Sequence, residues 1–431
     1  MTRKLLLNSG INLLGSGIPI VLTILAIPLL IKALGIEQFG LLSLAWAIIG
    51  YLSLLDLGLG RALSQQTAAH HDNLLQVTQT FWDTHTLIAS IGALSSLVTA
   101  TAIGWYFNGS NQSNNPSPEL QQVLWASSWM IFPSLLINSL SYFLIATEKF
   151  ILLNILKLLL SSANIIMPVL ICQFTFQVNH FEYIMQALLW IRWILAIIFF
   201  LTCLYSASYL LKIKSWHFHY PVKLIKLGGW MTVTNIVGPI MTYFDRFFIA
   251  SLISPSAVGG YSIAYELSSK LNLISSALST TLAPFFAKQP NQSSSVTQAF
   301  IFSMSLIASI FIPLLWCIHT YGDELLQWWL QQHEVQMIYQ ITQWLALGFF
   351  FNAIALIFYT HLQFMERPDI TAKIHLIELP FYLGLLIVLL IHQGVMGAAI
   401  AWTIRAAIDM LLLLIYSLRI NRNHIKCAIS I

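Results

Sequence analysis

The chain reads as an all-α polytopic membrane protein of about twelve transmembrane helices, and three features of the sequence predict it. Of its 431 residues, 58% are hydrophobic and 8% charged, whereas a soluble domain carries about 25% charged residues and needs them to face water. Apolar runs of about 20 residues, the length that crosses roughly 30 Å of hydrocarbon, recur from end to end with short connections. The basic residues gather in alternate connections, as they do when every second loop stays in the cytoplasm.

The runs fall at roughly 9–31, 39–60, 83–107, 120–146, 150–173, 182–211, 225–250, 257–283, 297–320, 337–364, 371–391 and 395–418. Span one follows Arg3 and Lys4 and continues past Pro19 and Pro28 with no small-residue cleavage site, so it reads as a retained helix and not a signal peptide. A short turn about Lys32 to Gln38 leads to span two. Spans three to six follow with a loop near Asn108 to Pro118, and the densest basic cluster, Lys212 to Lys226, joins span six to span seven. Spans seven to twelve complete the chain, the longest later loop running from about Tyr321 to Gln336.

With both termini cytoplasmic, the inner loops hold fourteen of the 20 Lys and Arg residues and the outer side only Lys32. The formal net charge of +4 is therefore a topology signal facing anionic headgroups, not a nucleic-acid footprint. Four cysteines form no CxxC pair, so neither a disulfide framework nor a zinc site is indicated. An internal repeat divides the chain. Phe39 to Trp46 resembles Val258 to Tyr265 at an offset of 219, each a glycine turn entering a small-plus-aromatic helix face. The offset spans an even number of helices, which gives a parallel repeat about an axis along the membrane normal. The expected division is a lobe at 1–211, a basic linker at 212–224 and a second lobe at 225–431.

Five cations remain inside spans: Lys157, Arg192, Arg246, Lys270 and Arg405. A charge in hydrocarbon is expensive, so such residues face a watery cavity, an anionic ligand or a counter-ion. Arg192 is central in span six and has no acidic neighbour at i±3 or i±4. Arg405 has Asp409 at i+4, a spacing that allows an internal ion pair, so a functional contact and structural neutralisation are both open. Lys270 has Glu266 at i−4 with the same two readings, and Lys157 is close enough to the cytoplasmic end to snorkel. Arg246 follows Asp245; adjacent helical residues point about 100° apart, so the two need not pair and one can face a cavity. Asp245, Glu266, Glu378 and Asp409 are candidates for proton or sodium coupling, or else counter-ions to the arginines.

The block Ile27 to Gly40, followed by Leu55-Asp56-Leu57-Gly58-Leu59-Gly60-Arg61-Ala62, resembles the N-terminus of the polysaccharide biosynthesis flippases. These are the Wzx group of the multidrug/oligosaccharidyl-lipid/polysaccharide (MOP) exporter superfamily. Tyr243 to Ile249, leading into Val258 to Ser262, is similar to the second half of that family. The resemblance implies a MATE/MOP-like fold of two six-helix lobes in the bacterial inner membrane. It implies movement of an undecaprenyl-diphosphate-linked glycan, such as an O-antigen unit, from the cytoplasmic to the periplasmic leaflet by alternating access. The pathway's polymerase and chain-length regulator are then expected partners beside membrane lipids. No cofactor is expected beyond a coupled H+ or Na+, and the five cations above are the candidate contacts for the diphosphate.

Two other classes are weighed against this. A membrane enzyme of the same pathway would need a metal-binding or catalytic cluster outside the membrane, and no DxD or triad pattern appears, so the chain is expected not to be an enzyme. A cation-coupled multidrug exporter is the alternative; its relatives carry a coupling aspartate in the first helix, and here no Asp or Glu precedes Glu37.

Overall fold

A backbone N–H or C=O inside hydrocarbon has no water to bond, so a spanning segment closes its hydrogen bonds within itself. The computed structural model describes residues 2–52, 59–69, 72–109, 118–174, 180–212, 237–238, 240–288, 293–331, 335–365 and 367–429. Among these the regular elements are all helices. Packing divides the chain into two units, Met1–Pro239 and Ile240–Ile431.

The first unit comprises α1 (Thr2–Leu52), α2 (Leu59–Ala69), α3 (Leu74–Gly109), α4 (Pro118–Ala146), α5 (Phe150–Phe174), α6 (His180–Ser206) and the short α7 (Tyr209–Lys212). Its centre is α4, which packs against α1, α2, α3, α5 and α6. Leu140, Phe143 and Leu144 of α4 meet Phe81 of α3, Leu153 and Leu156 of α5, and Phe199 of α6, all buried. Each such side chain contributes about 1.5–3 kcal/mol in water, but in a bilayer lipid tails are equally apolar and close packing carries the preference. The outward faces, with Leu94, Leu97, Val98 and Trp105 of α3 and Ile197 and Leu201 of α6, are apolar and exposed, as lipid contact requires.

The second unit comprises α8 (240–252), α9 (Pro255–Ser269), α10 (Asn272–Lys288), α11 (Ser293–Leu330), α12 (Gln336–Phe364), α13 (Pro368–Gln393) and α14 (Val395–Ile429). Here α12 is the central helix, packed against α9, α10, α11, α13 and α14. Its tightest neighbour is α14, because Gly348 leaves room for an indole. A Cβ at Gly348 would stand 2.5 Å from Trp402 Cζ3 and 2.9 Å from Thr403 Oγ1. Gly348→Ala is therefore expected to push Trp402 off its seat and cost about 1–3 kcal/mol, read as a lower apparent Tm of the purified protein.

Among the described residues, nine helical segments are long and apolar enough to cross a membrane, against the twelve runs in the sequence. The differences have local causes. The first two runs form one assigned helix, α1, whose 51 residues would measure about 76 Å if straight. Gly35 breaks it with φ 76° and ψ 168°, a conformation that glycine adopts without a Cβ penalty. The eighth run is likewise interrupted. After α9 the N–H groups of Lys270 and Leu271 bond to Leu267 O and Ser268 O, three residues back, and α10 starts again at Asn272. Tightening to i→i+3 bonds here leaves helices of 15 and 17 residues, neither a full crossing alone. The seventh run begins largely outside the described residues, as do most of the basic linker and Leu55 to Gly58.

Two loop expectations are corrected. Tyr321 to Leu330 belongs to α11, where Gln327 Nε2 donates to Asp323 Oδ2 at 3.0 Å one turn back. The third run starts at Leu74 and not at Asp83, its first turn capped by Asn73 Oδ1 accepting from Gln76 N at 3.2 Å. Both segments of the internal repeat are buried nearly all round, from Phe39 to Ala45 and from Val258 to Tyr265.

Candidate functional site: buried charges in each unit

In the first unit the site is built around Arg192. It lies twelve residues from His180 and fourteen from Ser206, so about 18 Å of helix separates it from the nearer end. Its exposure is 5%. Nη1 donates to Ser134 Oγ of α4 at 3.0 Å and Nη2 to Asn164 Oδ1 of α5 at 3.5 Å, while Nε is enclosed with no acceptor. Ser134 spends its own proton on Met130 O at 2.6 Å, which leaves a lone pair for the guanidinium. Both partners are neutral. Among the described residues no carboxylate comes within ion-pair distance of Arg192, so its charge is hydrogen-bonded but not neutralised. That is the less common arrangement for a buried charge, which is normally paired.

A polar stripe leads to it. Asn154, Lys157, Ser161 and Asn164 follow one another on α5 at steps of three and four residues and so share one face. Lys157 is exposed and lies seven residues before Asn164, about 10.5 Å along the axis.

In the second unit the buried charges are more numerous, and some of them are answered by other protein charges. Asp245 of α8 is fully buried, accepting from Tyr261 Oη at 2.5 Å and from the Arg246 backbone N–H at 2.7 Å. The Arg246 guanidinium stands 3.8 Å from Asp245 Oδ1 and lies over the Tyr265 ring at 4.3 Å, with Ser262 Oγ 3.4 Å from Nε. Of the arrangements the sequence left open for these neighbours, with one facing a cavity or the two pairing, the structure shows the pair. Both are buried and they pair, because the long arginine stem folds back toward its own turn. Lys270 and Glu266 do form the i,i+4 pair, at 2.8 Å, half-buried beside the α9–α10 break.

Arg405 and Asp409 do not pair. Arg405 turns to the aromatic faces of Trp402, 5.6 Å away, and Tyr382, 6.0 Å away, with Met241 Sδ at 3.8 Å from Nη1. Asp409 faces His375 of α13 instead, Oδ1 to Nε2 3.7 Å. Glu378 sits one turn on from His375, 3% exposed, with neither carboxylate oxygen hydrogen-bonded. His375, Glu378 and Asp409 each offer a ligand atom within 4.8 Å of the others. Among the described residues, this second unit thus holds three buried carboxylates, Asp245, Glu378 and Asp409, against two buried arginines. One added positive charge would balance them.

Sequence reasoning missed His375, although its i−3 spacing to Glu378 was legible. It also missed Tyr261, Tyr265, Ser134 and Asn164, which are ordinary residues until the helices are packed.

Residues 5–290 match the family described as "Polysaccharide biosynthesis protein". The chain belongs to that family. A relative from Shigella flexneri, named "Putative O-antigen transporter", is 31% identical over 418 residues, covering 94% of this chain and 96% of its own length. Residues 231–390 of this polysaccharide biosynthesis family member also match the MatE family. Among solved structures, an inward-facing multidrug-resistance MATE transporter of the MOP superfamily superposes with TM-score 0.74 at 12% identity, covering 94% of this chain and 96% of the other. The lipid II flippase MurJ in an inward closed conformation gives TM-score 0.71 at 16% identity, covering 97% and 91%. The fold is that of MOP-superfamily carriers. The chain is a multi-pass membrane protein of a family whose relatives are transporters and not enzymes.

Proposed function

We propose that the chain carries an undecaprenyl-diphosphate-linked oligosaccharide repeat unit from the cytoplasmic to the periplasmic leaflet of the bacterial inner membrane. It works by alternating access of two six-helix lobes, 1–211 and 225–431, joined by the basic linker, with twelve spans and both termini cytoplasmic. The observation that carries this reading is Arg192, a guanidinium held in place by neutral partners and, among the described residues, lacking a counter-ion. Such a group is prepared for an anion, and a diphosphate supplies the paired oxygens that a planar guanidinium binds. Lys157 and the α5 stripe give that anion a polar approach. Arg246, Arg405 and Lys270 contribute less directly, since protein groups already engage each of them. The relationship to the Shigella protein supports a glycan cargo.

The test is translocation. Purified protein in vesicles should make lipid-linked repeat units accessible to an external periodate or lectin probe, and the gene should restore surface polysaccharide to a flippase-null strain. Drug-dependent ion exchange with no movement of lipid-linked sugar would overturn this reading in favour of a cation-coupled multidrug exporter, to which the MatE match points.

The His375, Glu378 and Asp409 cluster supplies the coupling site for H+ or Na+. The uncompensated negative charge around it takes up one such ion, and the ion's arrival or departure alters how α13 and α14 are held together. Glu378→Gln removes one charge at nearly constant shape. Gradient-driven transport is expected to fall at least tenfold while downhill exchange persists; unchanged dependence on both gradients removes the cluster from the mechanism.

A further inference from the structure

The groove between the first turns of α4 and α6 forms an open pocket of about 390 Å³, large enough for a small ligand. Two helix faces meet there. Gln121, Gln122, Trp125 and Ala126 recur on one face of α4, and Glu182, Met185, Gln186 and Leu189 on one face of α6. Ala126 and Met185 are buried and form an apolar floor; the amides and the carboxylate stand around it. Trp125 is 50% exposed, its ring 5.8 Å from that of Trp129.

We infer that this groove is a saccharide subsite, which binds the sugars nearest the lipid diphosphate; the assignment of the cargo rests on the function proposed above. The lining selects the ligand class. Among the described residues no Lys or Arg borders the cavity and Glu182 does, so a phosphate or an anionic headgroup would be repelled. Four polar side chains within two turns are equally wrong for an acyl chain. Sugars present hydroxyls that both donate and accept, around a ring whose C–H face is apolar. Amides answer the hydroxyls in both senses, and an indole covers the C–H face. Gln186 Nε2 already donates to Glu182 Oε1 at 3.2 Å, which fixes both side chains. Gln122 Oε1 is enclosed without any donor, an acceptor that a sugar hydroxyl would satisfy.

Position supports the same ligand. Arg192 follows Met185 by seven residues on the same face of α6, about 10.5 Å deeper, and its partner Ser134 lies on α4. A diphosphate on Arg192 would therefore direct its attached sugars along the α4–α6 groove toward the cavity. No separate recognition element is needed to align them.

The probe is the host's repeat-unit oligosaccharide, released from its lipid diphosphate by mild acid. The full-length protein is held in a detergent without a sugar headgroup, because a maltoside would compete. Saturation-transfer NMR is expected to show binding to the unaltered protein, at least tenfold weaker binding to Trp125→Ala and Gln122→Ala, and partial recovery in Trp125→Phe. Retained monodispersity and an unchanged apparent Tm in each variant would separate lost contact from lost fold. The subsite is overturned if the oligosaccharide does not bind the unaltered protein, or if Trp125→Ala binds it equally well. Translocation of lipid-linked units without such binding would remove the subsite and leave the flippase reading intact. Saccharide binding without translocation would do the reverse.

Discussion

Arg192→Ala is expected to abolish complementation of a flippase-null strain and to lower translocation in vesicles by about 100-fold or more. Loss of two charge-assisted hydrogen bonds to a diphosphate, each worth roughly 1.5–3 kcal/mol, accounts for an effect of that size. The same substitution should leave abundance and apparent Tm unchanged or slightly raised, because Arg192 neutralises no acid among the described residues and its removal relieves the protein of an uncompensated buried charge. Arg192→Lys keeps the charge but loses the planar fork, so partial activity is expected. Full transport by Arg192→Ala would eliminate the residue from the proposal, and loss of folded protein would recast it as structural.

Asp245→Ala should behave in the opposite way. Asp245 accepts from Tyr261 Oη and from the Arg246 backbone and faces the Arg246 guanidinium, all within a fully buried pocket. Truncating it leaves a buried cation without a carboxylate and a buried hydroxyl without an acceptor, a loss of about 3–5 kcal/mol. Folded yield and apparent Tm should drop sharply. Replacing both charges, Asp245→Ala with Arg246→Met, should recover much of the stability, since an apolar pair carries no desolvation penalty. If the single variant proves as stable as the parent, the pair is not holding α8 to α9 as the geometry indicates.

The contrast between these two arginines shows what was legible in the sequence and what was not. Counter-ions on a residue's own helix can be read from spacing. The absence of an acid at i±3 or i±4 marked Arg192, and the Glu266–Lys270 pair forms as its spacing allows. Counter-ions across helices cannot be read in this way. Asp409 was a natural partner for Arg405 by spacing alone, yet packing of α13 on α14 presents it to His375, and Trp402, seated against Gly348, draws the guanidinium aside. Composition and run length gave the membrane class and most helix positions, because about 20 apolar residues have few other uses. The break after α9 was not visible. Leu267 to Asn272 contains neither Pro nor Gly, and the change to three-residue hydrogen bonding depends on neighbours such as Asn352, whose Nδ2 donates to Asn272 Oδ1 at 3.1 Å.

Neutral anchoring of Arg192 also bears on biogenesis. At the middle of a nascent helix an arginine raises the insertion free energy by about 2.5–3.5 kcal/mol, while each Leu, Ile or Phe lowers it by about 0.3–0.6 kcal/mol. Between Leu188 and Leu201, α6 carries ten such residues, together about −3 to −6 kcal/mol. The translocon can therefore release α6 into lipid on its own, with no acidic partner helix waiting for it. Ser134 and Asn164 then collect the guanidinium during later packing. An arginine that depended on a carboxylate for insertion would arrive already neutralised; this one reaches the mature protein with its charge still available.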